Sequence, residues 1–184
     1  EDVQSRMEDL LETTVDLSRL REMSVEVLTD KRLFEAARYL AGPPISGDDL
    51  KVLAEGTSFS RKALTADPAV AARAVDVILT ALDRNRFPWI GEDREPTEAE
   101  RSAAAMASGA MIAARRVMTS RANEAKTAQE QAVKDRLAAA ELASMSGRDI
   151  RTWDDAPGKG EFFPREQKVG TRKADVIVRL FDGR

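Results

Sequence analysis

The sequence predicts a mainly α chain, with a helical N-terminal region followed by the start of an α/β core, an α+β arrangement overall. Three observations carry this. From Met7 to Leu82, apolar residues recur at helical spacing, punctuated by Asp and Ser caps and by Gly and Pro stops. From Thr97 to Leu142 there is no proline and a single glycine, Gly109, in an alanine-rich run that favours helix. After Gly160 the pattern changes. Val176, Ile177, Val178, Leu180 and Phe181 are strand formers, and the pair Asp182-Gly183 signals a hairpin turn.

In chain order, Asp2 to about Met23 places Met7, Leu10, Leu11, Leu17 and Leu20 at helical spacing among charges, and predicts an amphipathic helix. Ser24 to Thr29 reads either way, because Val25 and Val27 alternate. Asp30 is an N-cap for a helix with Leu33, Phe34, Ala37 and Leu40 on one face, stopped by Gly42 and Pro43-Pro44. Ser46 to Asp49 opens a short helix that Gly56 closes. Asp67-Pro68 is a cap with proline at the first helical position, and Val70, Ala74, Val77, Ile78 and Leu82 carry that helix to about Asn85. Phe87 to Gly91 is an aromatic loop. Thr97 to Glu100 is a capping box. One helix from there to Leu142 would span about 70 Å, so a break is expected at Gly109 or in Thr119 to Asn123. Ser146-Gly147 ends the helical part, and Lys173 to Phe181 is expected to be one strand.

The composition removes several chemistries. There is no cysteine and no histidine, so no disulfide, no thiolate nucleophile, no Ser-His-Asp triad and no His-ligated metal can be built. Carboxylate, lysine and hydroxyl chemistry remains, and carboxylates suit hard ions, Mg2+ above all. The chain is 33% charged with a net charge of -3, so a nucleic-acid surface would have to be local. No apolar run approaches a membrane span and no signal peptide is visible. A cytoplasmic location with no membrane partner is therefore expected.

Hydrolysis of a phosphodiester with a metal ion needs converging carboxylates near a lysine. Asp175, at the start of the predicted strand, is the first candidate, and Glu130 on the preceding helix is a second. Arg165, Lys168, Arg172 and Lys173 lie around Asp175 in sequence and suit phosphate contacts, with Arg121 extending that surface. Arg115 and Arg116 read equally as a solvated face. Trp89 and Trp153 read as packing anchors under their loops, and Met106, Met111 and Met118 as helix core.

The segment Gly160-Glu161-Phe162, Glu166 and Lys173-Ala174-Asp175-Val176 through Leu180 to Arg184 resembles the catalytic-core entry of the PD-(D/E)xK nuclease superfamily. It is most similar to the XamI-type type II restriction endonucleases. Asn123 to Val133 resembles the helix preceding that core, and Ala41 to Leu50 the helical N-terminal region. The resemblance implies a restriction-endonuclease-like core and a Mg2+-dependent endonuclease acting on double-stranded DNA. It implies Asp175 as metal ligand and catalytic residue, Glu130 as the auxiliary helix glutamate, and Glu161 and Glu166 as acidic positions without an assigned role. The superfamily's Glu-x-Lys strand is not within the 184 residues. The chain is therefore expected to be the front part of something longer, and inactive by itself. Residues 1–119 would form the helical N-terminal region. Residues 120–184 would begin the nuclease core, with a bridging helix over 120–143, a connector over 144–160 and first strands over 161–184. Cutting both strands of a palindrome favours a homodimer. The competing reading is a non-catalytic α-helical interaction module, in which Asp175 is a turn residue and the last strand pairs with a partner.

Overall fold

The computed structural model describes residues 3–92 and 94–180. The chain forms two compact units, Glu1–Val117 and Met118–Arg184. It is mainly helical with a small number of short strands, an α+β composition.

In the first unit, α1 (Val3–Thr13), α2 (Ser24–Thr29), α3 (Lys31–Arg38), α4 (Gly47–Leu53), α5 (Arg61–Ala66) and α6 (Pro68–Thr80) surround one apolar core with the first half of α7 (Glu98–Ala139). Local capping chemistry sets most boundaries. The Asp30 carboxylate accepts from Arg32 N at 2.8 Å and Leu33 N at 2.9 Å, and the Ser46 hydroxyl accepts from Asp49 N at 3.0 Å. Asp67 accepts from Ala69 N at 3.1 Å ahead of Pro68. Thr97 and Glu100 exchange both bonds of a capping box, at 3.2 Å and 2.8 Å. The unforeseen α5 is capped by Ser60, whose hydroxyl accepts from Ala63 N.

Tertiary contacts override local preference elsewhere. The first helix ends at Thr13, ten residues short of the predicted Met23, while Asp2 lies outside the described residues. Val15, Asp16 and Leu17 all take positive φ, which breaks the helix. Trp89 Nε1 donates to the Asp16 carbonyl at 3.0 Å, and Arg101 pairs with the Asp16 carboxylate at 3.0 Å. Leu17 and Leu20 are still buried, so the apolar pattern was right and the period wrong. The sixth helix likewise ends at Thr80, not near Asn85.

No break interrupts α7, which runs 42 residues. Gly109 serves close approach instead. A Cβ there would sit 3.0 Å from Gln4 Cα, against the backbone of α1. The buried face of α7 is Ala104, Ala105, Ser108, Gly109 and Ile112. Small residues face inward because the neighbouring backbone is so near. Met106 and Met118 are consequently exposed, at 61% and 64%, and are not core; Met111 packs at the core's margin. Among the described residues no helix is long and apolar enough to cross a membrane.

Two polar nodes hold the helical unit. Arg86 donates to Asp83 at 2.8 Å, to the Ser108 hydroxyl at 2.8 Å, and to the carbonyls of Tyr39 and Ala41 at 2.8 and 3.0 Å. It thereby satisfies carbonyls left over at the end of α3. Glu35 accepts from both Arg6 and Arg116, the latter at 2.6 Å, so Arg116 belongs to a structural ion cluster. Burial pushes the Glu35 carboxyl up, but Arg116 and then Arg6 outweigh it and leave it below the usual range.

The second unit contains the remainder of α7, then β1 (Ala143–Ser144), a 3-10 turn (Trp153–Asp155), β2 (Glu161–Phe163), β3 (Gln167–Val169), β4 (Arg172–Ala174) and β5 (Ile177–Arg179). Strands β1, β2 and β5 form one sheet in that order, parallel then antiparallel, and β3 pairs antiparallel with β4. Phe162 and Phe163 are adjacent yet both buried, as a central strand covered on both faces requires. The single strand predicted from Lys173 is two strands. β4 folds back on β3 through Gly170-Thr171, where Gly170 has φ +60°, as a two-residue hairpin demands. The chain bends at Asp175, and β5 crosses to β2. The last strand is thus paired along one edge, and Phe181 and Asp182-Gly183 lie outside the described residues. Trp153 is 76% exposed; it anchors nothing, whereas Trp89 is buried as expected.

Arg86→Lys cannot reproduce the forked set of donors and is expected to cost about 3 kcal/mol, read as a lower urea midpoint. Glu35→Gln leaves two arginines sharing a neutral partner and is expected to cost roughly 2 kcal/mol at neutral pH. Because the native carboxyl is held below its unfolded value, its contribution is complete above that value and vanishes as pH falls through the native one. The gap between wild type and Glu35→Gln should therefore close on acidification. A gap constant from neutral pH to pH 3 would refute that origin.

Candidate active site

The residues singled out from the sequence lie in the second unit, and their placement follows from three local features. The first is helical spacing on α7. Lys126, Glu130 and Lys134 fall four residues apart, on one stripe of the helix. Lys126 Nζ lies 3.5 Å from Glu130 Oε1, and Lys134 Nζ lies 3.8 Å from Glu130 Oε2. The second is the bend at Asp175. It ends β4 before β5 begins and turns the Asp175 carboxylate towards α7, 3.4 Å from the same Lys126 Nζ. One ammonium is thus shared by two carboxylates separated by 45 positions in sequence. Asp175 and Glu130, the two carboxylate candidates of the sequence, both contact this one ammonium.

The third feature is the β3–β4 register. Lys168 is the direct cross-strand partner of Lys173, while Arg172 is opposite Val169. Since side chains alternate across a strand, Lys168 and Lys173 share one face of the hairpin and Arg172 takes the other. Two like charges directly opposite repel. Glu166 relieves this by pairing with Lys173 at 2.7 Å. Hydrogen bonding to Glu166 is the main reason the Lys173 ammonium is held above its ordinary range, with Asp175 adding to it. Glu166 is therefore accounted for as a local counterion. Glu161 is accounted for as a loop cap, accepting from Gly158 N at 2.7 Å.

Arg165, Lys168, Arg172, Lys173 and Arg121 are all exposed. The hairpin brings three of them together. Arg121 is five residues before Lys126, about 140° around the helix from it at 100° per residue, so it is off the carboxylate stripe. Residues 118–184 carry thirteen Lys and Arg against eleven Asp and Glu, a slight positive excess in an acidic chain.

The sequence does not single out Lys126 as a site residue. Its i, i+4 pairing with Glu130 was readable; its contact with Asp175 is purely tertiary. The Asp175 charge is the main cause raising its ammonium above the ordinary lysine value, with Glu130 contributing less.

The donor set fits a small hard dication. Both carboxylates are half-buried, with side-chain exposures of 45% for Asp175 and 29% for Glu130, and both already face a positive charge. Mg2+ takes one or two carboxylates, filling the other positions with water and substrate oxygens. Among the described residues no three acidic side chains converge as a metal cluster; Asp175 and Glu130 are two carboxylates facing one cation.

The family described as XamI restriction endonuclease matches residues 18–184. The chain belongs to the XamI restriction endonuclease family. It is 39% identical over 174 residues to the Type II restriction enzyme XamI of Xanthomonas campestris pv. amaranthicola, across 90% of this chain and 63% of that protein. The chain thus spans less than two thirds of that relative's length. No solved structure matches it. The matched range, residues 18–184, includes the α7 stripe, the hairpin and Asp175.

Proposed function

We propose that the chain is part of a type II restriction-like endonuclease that hydrolyses phosphodiester bonds in double-stranded DNA with Mg2+. The observation that carries this reading is the convergence of Asp175 and Glu130 on one cation, beside a basic hairpin, in a chain of the XamI family. Type II restriction activity is in the name of the relative and comes to this chain here.

Asp175 and Glu130 would hold the ion, which when bound polarises a phosphate oxygen and lowers the pKa of water. The chain's own residues do the rest. Lys168 and Lys173 face the phosphates from one side of the hairpin, and Arg172 and Arg165 add contacts that orient the backbone. Their exposure fits a surface open to a polyanion. Residues 120–184 constitute the beginning of the nuclease core and 1–119 a helical support. Two-fold cleavage of a duplex calls for two such subunits in the cytoplasm, where the DNA is. Asp175 and Glu130 are the two carboxylates that residues 120–184 bring to the cation, and the 184 residues alone are expected not to cleave.

The test is duplex binding against salt, followed by plasmid cleavage in the full-length protein. Affinity should fall steeply with salt, and Lys168→Ala should lower the log–log slope by about 1. Asp175→Ala should abolish cleavage while leaving DNA affinity within a few-fold. Absence of salt-dependent affinity would instead favour a helical interaction module. Mg2+-dependent cleavage by the 184 residues alone, lost in Asp175→Ala, would refute the incomplete site.

A further inference from the structure

We propose that Lys126 is the built-in counterion of the carboxylate pair, occupying the cation position between Asp175 and Glu130 and leaving it when a divalent ion binds. This rests on the reading of those two carboxylates as ligands.

The geometry is specific. Lys126 Nζ is 3.4 Å from Asp175 Oδ1 and 3.5 Å from Glu130 Oε1, so a single charge sits within contact range of one oxygen from each. The two acids come from different elements, the α7 helix and the bend after β4, and converging without a cation they would repel. A helix pair alone would satisfy Glu130, which also has Lys134 at 3.8 Å. Lys126 therefore has work beyond an ordinary i, i+4 pair: it also reaches the strand-end acid. Its side chain is 60% exposed. A flexible four-carbon stem with a solvated end can swing out cheaply. An arginine clamped by several bonds, as Arg86 is in the helical unit, could not.

Two consequences follow. With no divalent ion, the ammonium keeps the acids together, so the ligand geometry exists before the metal arrives. With the ion present, the ammonium is a competitor, and its displacement lowers the apparent affinity for metal.

The probe is Mn2+ alone, titrated calorimetrically into the full-length protein and its variants, with circular dichroism as a check of folding. Removing the competing charge in Lys126→Met should tighten Mn2+ binding by roughly tenfold, the scale of one lost unit-charge repulsion in a partly solvated site. Lys126→Arg, which keeps the charge, should stay within a factor of about two to three of wild type. Asp175→Asn should abolish the binding in every background. A second readout is the rate at which Lys126 is reductively methylated, followed by mass spectrometry. Mg2+ should accelerate it in the wild type, and Asp175→Asn should accelerate it without metal. Unchanged or weaker Mn2+ binding in Lys126→Met, with Asp175-dependent binding intact in the wild type, overturns the counterion role and leaves the metal site standing. Absence of Asp175-dependent binding in both proteins overturns the metal site and the counterion role together.

Discussion

The Arg86 guanidinium is the constraint on which the helical unit depends. Helix α3 ends with carbonyls that have no successor amides, and the core cannot leave them unpaired. Arg86 answers Tyr39 and Ala41, takes Asp83 as its counter-charge, and reaches the Ser108 hydroxyl on α7. Three segments are thereby fixed by one side chain whose donors form a planar fork. The apolar residues around it, from Met7 to Ile112, supply the driving force, while the fork supplies the register.

The second unit uses charge differently. Its hydrophobic content is small, with Phe162 and Phe163 its buried aromatic pair, and its short strands are held by local ionic and turn contacts. Glu166 answers Lys173, Glu161 closes the loop at Gly158, and Asp155 accepts from Thr152 N at 2.9 Å. Asp175 and Glu130 depart from this economy. They share the Lys126 ammonium at 3.5 and 3.4 Å, longer contacts than the 2.7 Å pairing of Glu166 with Lys173, and Lys134 lies 3.8 Å from Glu130. Two half-buried acids of different elements that share a loosely held ammonium, beside exposed lysines and arginines, suit the proposed cation and DNA site.

How much of this was legible depended on how local each interaction is. The caps at Asp30, Ser46, Asp67 and Thr97 involve neighbours two or three residues away, and sequence suffices to read them. The end of α1 was hidden because Trp89 and Arg101, both distant in sequence, draw on Asp16. The exposed Met106 and Met118 were misread because hydrophobicity outranked size, whereas the approach of α1 at Gly109 admits only small side chains. At the candidate site, Asp175 and Glu130 were chosen by resemblance, and the hairpin that sorts Lys168 and Lys173 from Arg172 was invisible while β4 and β5 were read as one strand. Lys126 was missed because nothing local distinguishes it from any solvated helical lysine.

The central claim is that Asp175 and Glu130 flank one ion, and it can be tested without DNA or catalysis. Fe2+ substituted for Mg2+, with ascorbate and peroxide, generates short-lived radicals that cut the polypeptide near the bound metal. The account predicts scission close to both Glu130 and Asp175, suppressed by excess Mg2+ and lost in Asp175→Asn. Scission elsewhere in the chain, or cutting near Asp175 that persists in Asp175→Asn, would contradict it.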